Sequence, residues 1–361
     1  MDIGIPRERR EGEYRVGLTP IGVQLLTAEG HTCYVERGAG LGAGFSDRDY
    51  ETGGGKIVYS TQEAYGRAEL VLKVARPMAE EADWLNEGQT VMGLLHLAAA
   101  RRSRVEALVQ KHITAIGYEM IQLDDGSLPV LTPLSQAAGR MTVQAAAMLL
   151  QNDRGGKGIL LSGVPGVPPA EVVIVGAGTL GTCAARAFLG IGANVYLLDH
   201  DLKRLQAVDT QLNSRAITMV SHEFNLRKVV KFADVLIGGI LVPGARTPIV
   251  ITREMVRTMK PRSVIMDLSI DQGGCVETSR PTTHRVPTFI EENVIHYCVP
   301  NMTSVVARTA THAFNNAAWP YVQAVVRKGL DAAIAEDASL ARGVNIRQGE
   351  IVSPALHVNS L

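Results

Sequence analysis

The stretch Ala170–Asp199, AEVVIVGAGTLGTCAARAFLGIGANVYLLD, constrains this chain more than any other. Its apolar, β-branched run from Val172 to Val175 is short enough to be a buried strand. Gly176, Gly178 and Gly181 follow in the spacing GxGxxG, then a helical stretch, Thr179 to Leu189, and a second apolar strand, Asn194 to Leu198, that closes on Asp199. The three glycines meet different steric needs. Gly176 turns the chain, Gly178 lets a pyrophosphate approach backbone N–H groups, and Gly181 seats the helix against the strand. The helix N-terminus offers unpaired N–H donors and the positive end of its dipole to phosphate. Asp199, eighteen residues beyond Gly181, is placed to accept from a ribose 2′-hydroxyl and to repel a 2′-phosphate. A bare GxGxxG is common, and a purely structural βαβ unit is the plainer reading. Strand, turn, helix, strand and acid in this order point instead to a dinucleotide. NAD is favoured over NADP, with His200, Lys203 and Arg204 keeping the phosphorylated form in contention.

The whole chain narrows the class further. Its 361 residues fit two domains with ample core. Lys and Arg total 36, as do Asp and Glu, so charge makes no case for a nucleic-acid or anionic-membrane partner. Cys33, Cys183, Cys275 and Cys298 are scattered without CxxC pairing. That pattern fits a reducing cytoplasm and argues against a disulfide frame or a structural zinc site, and no metal is expected. The N-terminus is densely charged from Arg7 onward, unlike a signal peptide. No apolar run approaches the roughly 18 residues of a membrane span. A soluble, cytoplasmic α/β protein is expected.

Along the chain, residues 2–5 read as a strand, and Thr19-Pro20 as N-cap and first residue of a helix that stops at Glu29-Gly30. Strands follow at Thr32 to Glu36, Leu70 to Val74, Met92 to Leu95 and Ala115 to Tyr118. This rhythm describes a first doubly wound domain without a phosphate fingerprint of its own. A long helix from Leu134 to about Leu150 and a flexible segment precede the fingerprint. Beyond Asp199 lie strands at Ala216 to Val220, Val235 to Ile240 and Ser263 to Leu268, and a late helix spans Ala313 to Lys328. The expected fold is therefore α/β with two doubly wound, Rossmann-like domains, the nucleotide-binding domain (131–304) inserted into a discontinuous substrate domain (1–130 and 305–361). A ligand should lie in the crevice between them, beside the carboxyl ends of the strands.

Hydride transfer needs an anchor and a proton relay from the protein. Arg15 is either a surface arginine or a guanidinium fork for a carboxylate. His96, in LLHLA where a strand gives out, is either a satisfied core histidine or an acid–base partner for a carbonyl oxygen. Asp271, in LSIDQGG, either caps a loop or orients ammonia, an iminium or the histidine, whereas Asp267 inside the strand serves structure. Asn301, in CVPNM, either forms a turn or meets a nicotinamide carboxamide.

Taken together, IGIPRE, EYRV, LTP, LHLAA, LSGVPGV, VGAGTLG, LVPGA, MKPRSVIMDLSIDQGGC, SRPTT and YCVPNM resemble the alanine dehydrogenase and transhydrogenase-domain family over nearly the full length. The resemblance implies NAD-linked, reversible oxidative deamination of alanine to pyruvate and ammonia in a homohexamer. It assigns Arg15 to the substrate carboxylate, His96 to acid–base work and Asp271 to the essential carboxylate. It also places Asp199 at the ribose, Ser221 near the adenosine, Leu241 of LVPGA at the cofactor, and Asn301 beside the nicotinamide and substrate.

Three departures stand out. The family's KVKEP, whose second lysine contacts substrate, reads Lys73-Val74-Ala75-Arg76-Pro77 here. Lys73, roughly 6.5 Å back along the strand, is expected to compensate as a substrate ligand; Arg76 is the alternative, though alternation points it to the opposite face. The family's NMPGxVPRT becomes NMTSVVART, and Leu134 stands where a methionine is usual. These changes imply an altered substrate preference. The rival readings are a dehydrogenase or imine reductase for another amino acid, a hydride-exchange module of a transhydrogenase, against which His96 in LHLAA speaks, and a non-catalytic NAD-binding paralogue.

Overall fold

Strands that are apolar on both faces need a layer on each side, and helices supply those layers twice in this chain. The computed structural model describes residues 1–354 and Leu356. It divides into one unit of Met1–Leu134, Pro243–Ala245 and the chain from Thr303 onward, and a second of Ser135–Val242 and Arg246–Met302. Residues 355 and 357–361, at the end of the expected substrate domain, lie outside the described residues.

In the first unit β1 (Asp2–Ile5), β2 (Thr32–Glu36), β3 (Lys56–Val58), β4 (Leu70–Ala75), β5 (Thr90–Leu94) and β6 (Thr114–Gly117) run parallel in the order β3-β2-β1-β4-β5-β6. In the second, β7 (Glu171–Val175), β8 (Asn194–Asp199), β9 (Ile217–Val220), β10 (Val235–Gly238) and β11 (Val264–Asp267) repeat that pattern as β9-β8-β7-β10-β11. The hairpin of β12 (Thr288–Glu291) and β13 (Val294–Tyr297) completes the sheet, β13 lying parallel to β11 and β12 antiparallel at the edge. The returning chain adds β14 (Val344–Arg347) antiparallel to β6, and β15 (Glu350–Ile351) antiparallel to β14. Strand order reverses between β1 and β4 in one sheet and between β7 and β10 in the other. Those are the two switch points where such sheets open a crevice at their carboxyl ends.

Side-chain alternation divides each core. Leu70, Leu72 and Met92 pack with Phe314 and Val322 of the helix Ala307–Lys328, while Val71 and Val91 face Tyr65 and Leu108. Val172 and Ile174 meet Phe188 on one face of the second sheet; Val173 and Val175 meet Val229 on the other. Thr19 caps the helix Pro20–Ala28, accepting from the Gly22 N–H.

Several elements depart from the sequence expectation. The helix Asp47–Thr52, held by a Ser46–Asp49 capping box, is short and polar, and β3 is only three residues long, so hydrophobic period gave no sign of them. The β12–β13 turn uses Glu292 and Asn293 at φ 51° and 61°, without the glycine that usually marks such a hairpin. The segment before the fingerprint, expected to be flexible, is tied down: Leu161 is 1% exposed, Gly158 N–H donates to the Leu150 carbonyl at 2.7 Å, and Lys157 pairs with Asp234. Among the described residues, no helix is long and apolar enough to cross a membrane.

Gly181 shows how tightly the fingerprint is packed. A Cβ there would stand 1.8 Å from the Gly176 carbonyl oxygen, whereas one on Gly178 would meet nothing within 4 Å. Gly181→Ala is therefore expected to lose about 1–3 kcal/mol in urea unfolding, and Gly178→Ala to stay within about 0.5 kcal/mol of the parent. Equal losses would contradict this packing.

Candidate active site

The second unit builds its site at the carboxyl ends of β7, β8, β9, β10 and β11. Gly176 leaves β7 at φ +109°, and a Cβ on it would strike the Gly239 carbonyl oxygen at 2.5 Å. Gly178 caps the helix Thr179–Ile191 with open space where its side chain would be. The three glycines thus provide a turn, an approach and a close packing. The residues fit a dinucleotide on this ground, because Gly178 leaves a cradle beside helix N–H groups that a Cβ would fill. Asp199 ends β8 and is 4% exposed; its Oδ2 accepts the Ala177 N–H at 2.7 Å and its Oδ1 the Asp201 N–H at 2.9 Å. The acid therefore secures the glycine turn, and carboxylate oxygens retain acceptor capacity for a ribose hydroxyl. Ser221 lies just past β9, half-buried, and Leu241, 42% exposed, just past β10.

Beyond β11 the loop folds around Asp267. This buried carboxylate accepts N–H groups from Ser269 at 3.1 Å, Cys275 at 2.9 Å and Val276 at 3.1 Å. Burial pushes its pKa up, against the pull of those bonds. It holds the turn that presents Asp271, half-buried in the 3-10 turn Ile270–Gln272. Asp271 Oδ2 accepts the Asn301 N–H at 3.3 Å, and His284 Nε2 stands 3.3 Å from the Asn301 carbonyl oxygen. Asn301 sits between them at φ 55°. Asp271 and Asn301 are thus brought together, and the His284 contact is one that sequence reasoning missed.

In the first unit, Arg15 belongs to the segment that crosses β4: a Cβ on Gly17 would lie 2.2 Å from the Leu72 carbonyl oxygen. Arg15 is 3% exposed, so the surface-arginine alternative fails. Its Nε and Nη2 bind Glu13 at 2.7 and 2.6 Å, and its Nη1 donates to Thr303 Oγ1 at 3.2 Å. Ser304 donates to the Gly12 carbonyl at 2.6 Å. The two hydroxyl residues of the departing NMTS motif therefore brace the arginine loop. Glu13 would rise in pKa through burial, but the Arg15 charge and hydrogen bonds overcome this and leave it lowered. His96 follows β5 at φ 44°, ψ 47°, a left-handed conformation costing a non-glycine residue about 1–2 kcal/mol. The Glu119 carboxylate accepts the His96 N–H at 2.7 Å and the Leu95 N–H at 3.0 Å.

Lys73 corrects an expectation. It has no exposed surface, and its Nζ lies 2.7 Å from Glu81 and 3.2 Å from Glu8. Burial would strip its proton, but the surrounding charges, Glu8 foremost, raise its pKa and keep it an ammonium. The spacing of Cα atoms along a strand could not reveal two acids from outside that strand capturing the amine, whose Nζ is turned to Glu8 and Glu81. Glu8 also accepts the Val74 N–H at 2.7 Å, where the pairing register of β4 with β5 shifts between Leu72 and Ala75. Arg76 departs from expectation too. Strand alternation ends at Ala75, and Arg76 Nη1 reaches the His96 carbonyl at 3.2 Å. Ala75 is 6% exposed and Leu134 5% exposed. A cavity of about 660 Å³ in the same unit, lined by Arg9, Tyr59, Gln62, Trp84 and Arg104 among others, contains none of the expected site residues.

Two measurements check these ion pairs. Lys73→Met leaves Glu8 and Glu81 buried without their cation, so it should cost about 3–5 kcal/mol in unfolding free energy and leave the substrate KM of the folded fraction unchanged. Glu13 has a folded pKa below its unfolded 4.5, so its contribution is full above that value and fades as pH falls through the folded pKa. The stability gap between the parent and Glu13→Gln should therefore shrink in denaturant melts taken below pH 4.5.

Comparison with known proteins agrees with this architecture. Residues 4–138 match the family model described as alanine dehydrogenase/PNT, N-terminal domain, and residues 142–354 match its C-terminal domain. An alanine dehydrogenase of Halomonas elongata is 46% identical over 356 residues, covering 99% of this chain and 96% of the relative. One from Methanococcus maripaludis is 44% identical over 357 residues, covering 99% and 95%. A solved L-alanine dehydrogenase superposes with a TM-score of 0.92 at 44% identity, covering 100% of this chain and 99% of the other. A Sinorhizobium meliloti transhydrogenase structure, at 24% identity and a TM-score of 0.79, shares the fold. With both family domains matched in order and the fold shared throughout, the chain belongs to the alanine dehydrogenase/PNT family.

Proposed function

We propose that this protein is an NAD-dependent alanine dehydrogenase, interconverting L-alanine with pyruvate and ammonia. The observation that carries the reading is the setting of His96: an imidazole just past β5, with an arginine held 3% exposed in the same unit. The names of the full-length relatives support the substrate. Arg15 binds the substrate carboxylate, and Glu13 and Thr303 keep its guanidinium from wandering. His96 exchanges a proton with the substrate's carbonyl or carbinolamine oxygen, a role suited to imidazole near neutrality. Asp271 orients the nitrogen, and Asn301 meets substrate and nicotinamide. Gly176, Gly178, Gly181, Asp199, Ser221 and Leu241 hold the dinucleotide. Bound there, NAD⁺ supplies the hydride acceptor. The buried Asp199 carboxylate disfavours a 2′-phosphate and supports NAD over NADP.

The reading carries a division into a substrate domain (1–130 and 305–361) and a nucleotide domain (131–304). It also carries a cytoplasmic homohexamer; light scattering after size-exclusion chromatography tests the assembly. Ala75 offers no amine to the substrate, so the same pocket is expected to accept side chains longer than alanine's methyl to some degree. A panel of L-amino acids with NAD⁺, followed by NADH absorbance, tests the proposal. L-Alanine should give turnover that His96→Ala lowers by at least about a hundredfold, while NADH still binds that variant by calorimetry. Absence of alanine turnover, or a larger amino acid preferred throughout, would overturn the alanine assignment.

A further inference from the structure

The peptide of His96 is held at both ends by charged side chains. On one side Glu119, 5% exposed, places one carboxylate oxygen on the His96 N–H at 2.7 Å and the other on the Leu95 N–H at 3.0 Å. On the other, Arg76 Nη1 donates to the His96 carbonyl at 3.2 Å. That carbonyl also accepts the Ala99 N–H at 3.1 Å, closing the 3-10 turn that follows. Glu119 reaches this point because it sits in the turn Tyr118–Met120 directly after β6, the strand paired with β5. Gly117 keeps the way open: a Cβ there would stand 2.7 Å from Glu119 Oε1. His96 meanwhile occupies a left-handed conformation that an L-residue adopts only when its surroundings demand it.

We propose that Glu119, seconded by Arg76, is the positioning residue for His96. The bidentate carboxylate fixes the two N–H groups beyond β5, the guanidinium fixes the carbonyl, and the strained backbone between them aims the imidazole. Neither residue is assigned contact with substrate. The inference deepens the proposed function, because the value of aiming His96 depends on its acid–base role.

The test uses the full chain with Glu119→Gln, Glu119→Asp and Arg76→Met. A glutamine at 119 brings one acceptor oxygen and an NH2 group, so it cannot offer a separate oxygen to each N–H, and its NH2 opposes one of them. For Glu119→Gln, kcat with L-alanine should fall about tenfold to a hundredfold, with KM for NAD⁺ within about twofold of the parent. Glu119→Asp, which keeps both acceptors, should recover part of the loss, and Arg76→Met should show a smaller fall of the same kind. Amide hydrogen exchange at His96 should quicken at least tenfold in Glu119→Gln without a matching change in the strands. This last readout does not need turnover: if the parent fails to oxidise alanine, the proposed function falls while exchange still decides whether Glu119 holds the peptide. Parent-like kcat and exchange in Glu119→Gln would overturn the proposal. So would a uniform fall in kcat, NAD⁺ affinity and melting temperature, since that marks a residue serving stability alone. If Glu119→Gln does not fold, Arg76→Met decides by the same two readouts.

Discussion

Where a parallel strand ends, the next N–H groups lose their ladder partners, and in this protein buried carboxylates take them up. Glu119 receives Leu95 and His96, Asp199 receives Ala177, and Asp267 receives Ser269, Cys275 and Val276, while Glu8 does the same for Val74 inside β4, where the register with β5 shifts. A buried N–H without a partner costs as much as a lost hydrogen bond, while one donated to a charged acceptor contributes about 1.5–3 kcal/mol. The functional loops of both sheets depend on this exchange. Each carboxylate turns the frayed end of a strand into a fixed platform.

Fixed platforms can carry strain. His96 and Asn301 both occupy left-handed backbone, and both have an acid on their N–H and a nitrogen-bearing side chain at their carbonyl: Glu119 with Arg76, Asp271 with His284. The same arrangement thus arises independently in each unit. Burying so many acids demands compensation, and the cations provide it. Lys73 answers Glu8 and Glu81, Arg15 answers Glu13, and Lys157 with Lys260 answers Asp234. Asp234 shows the balance: burial favours its protonated form, yet the Glu171 N–H and the two lysines hold its pKa below the ordinary value.

Much of the fold was legible because its signals are local. The run EVVIV, the spacing of Gly176, Gly178 and Gly181, and the Thr19-Pro20 cap each state their geometry within a few residues. The same held for His96 at a strand end and for Asp199 closing β8. The elements that escaped were short, such as the three-residue β3 and the polar helix Asp47–Thr52, or lacked a glycine where a hairpin turns, as at Glu292-Asn293. At the site, Glu13, Glu119 and His284 escaped because an acid or an imidazole has no periodicity to betray what it will touch.

The sequence by itself determined that two largely parallel, doubly wound sheets would form and where the glycine turn would lie, because chain stiffness, glycine freedom and apolar runs act between near neighbours. Tertiary structure decided how charges distant in sequence are paired. Lys73 went to Glu81, eight positions away, and to Glu8, which another part of the chain brings close. Arg76 went to the His96 carbonyl, and Thr303 joined Arg15 from the far end of the chain. A long charged side chain finds its partner by distance in space after the backbone has closed, and distance in space is what a linear order of residues does not contain.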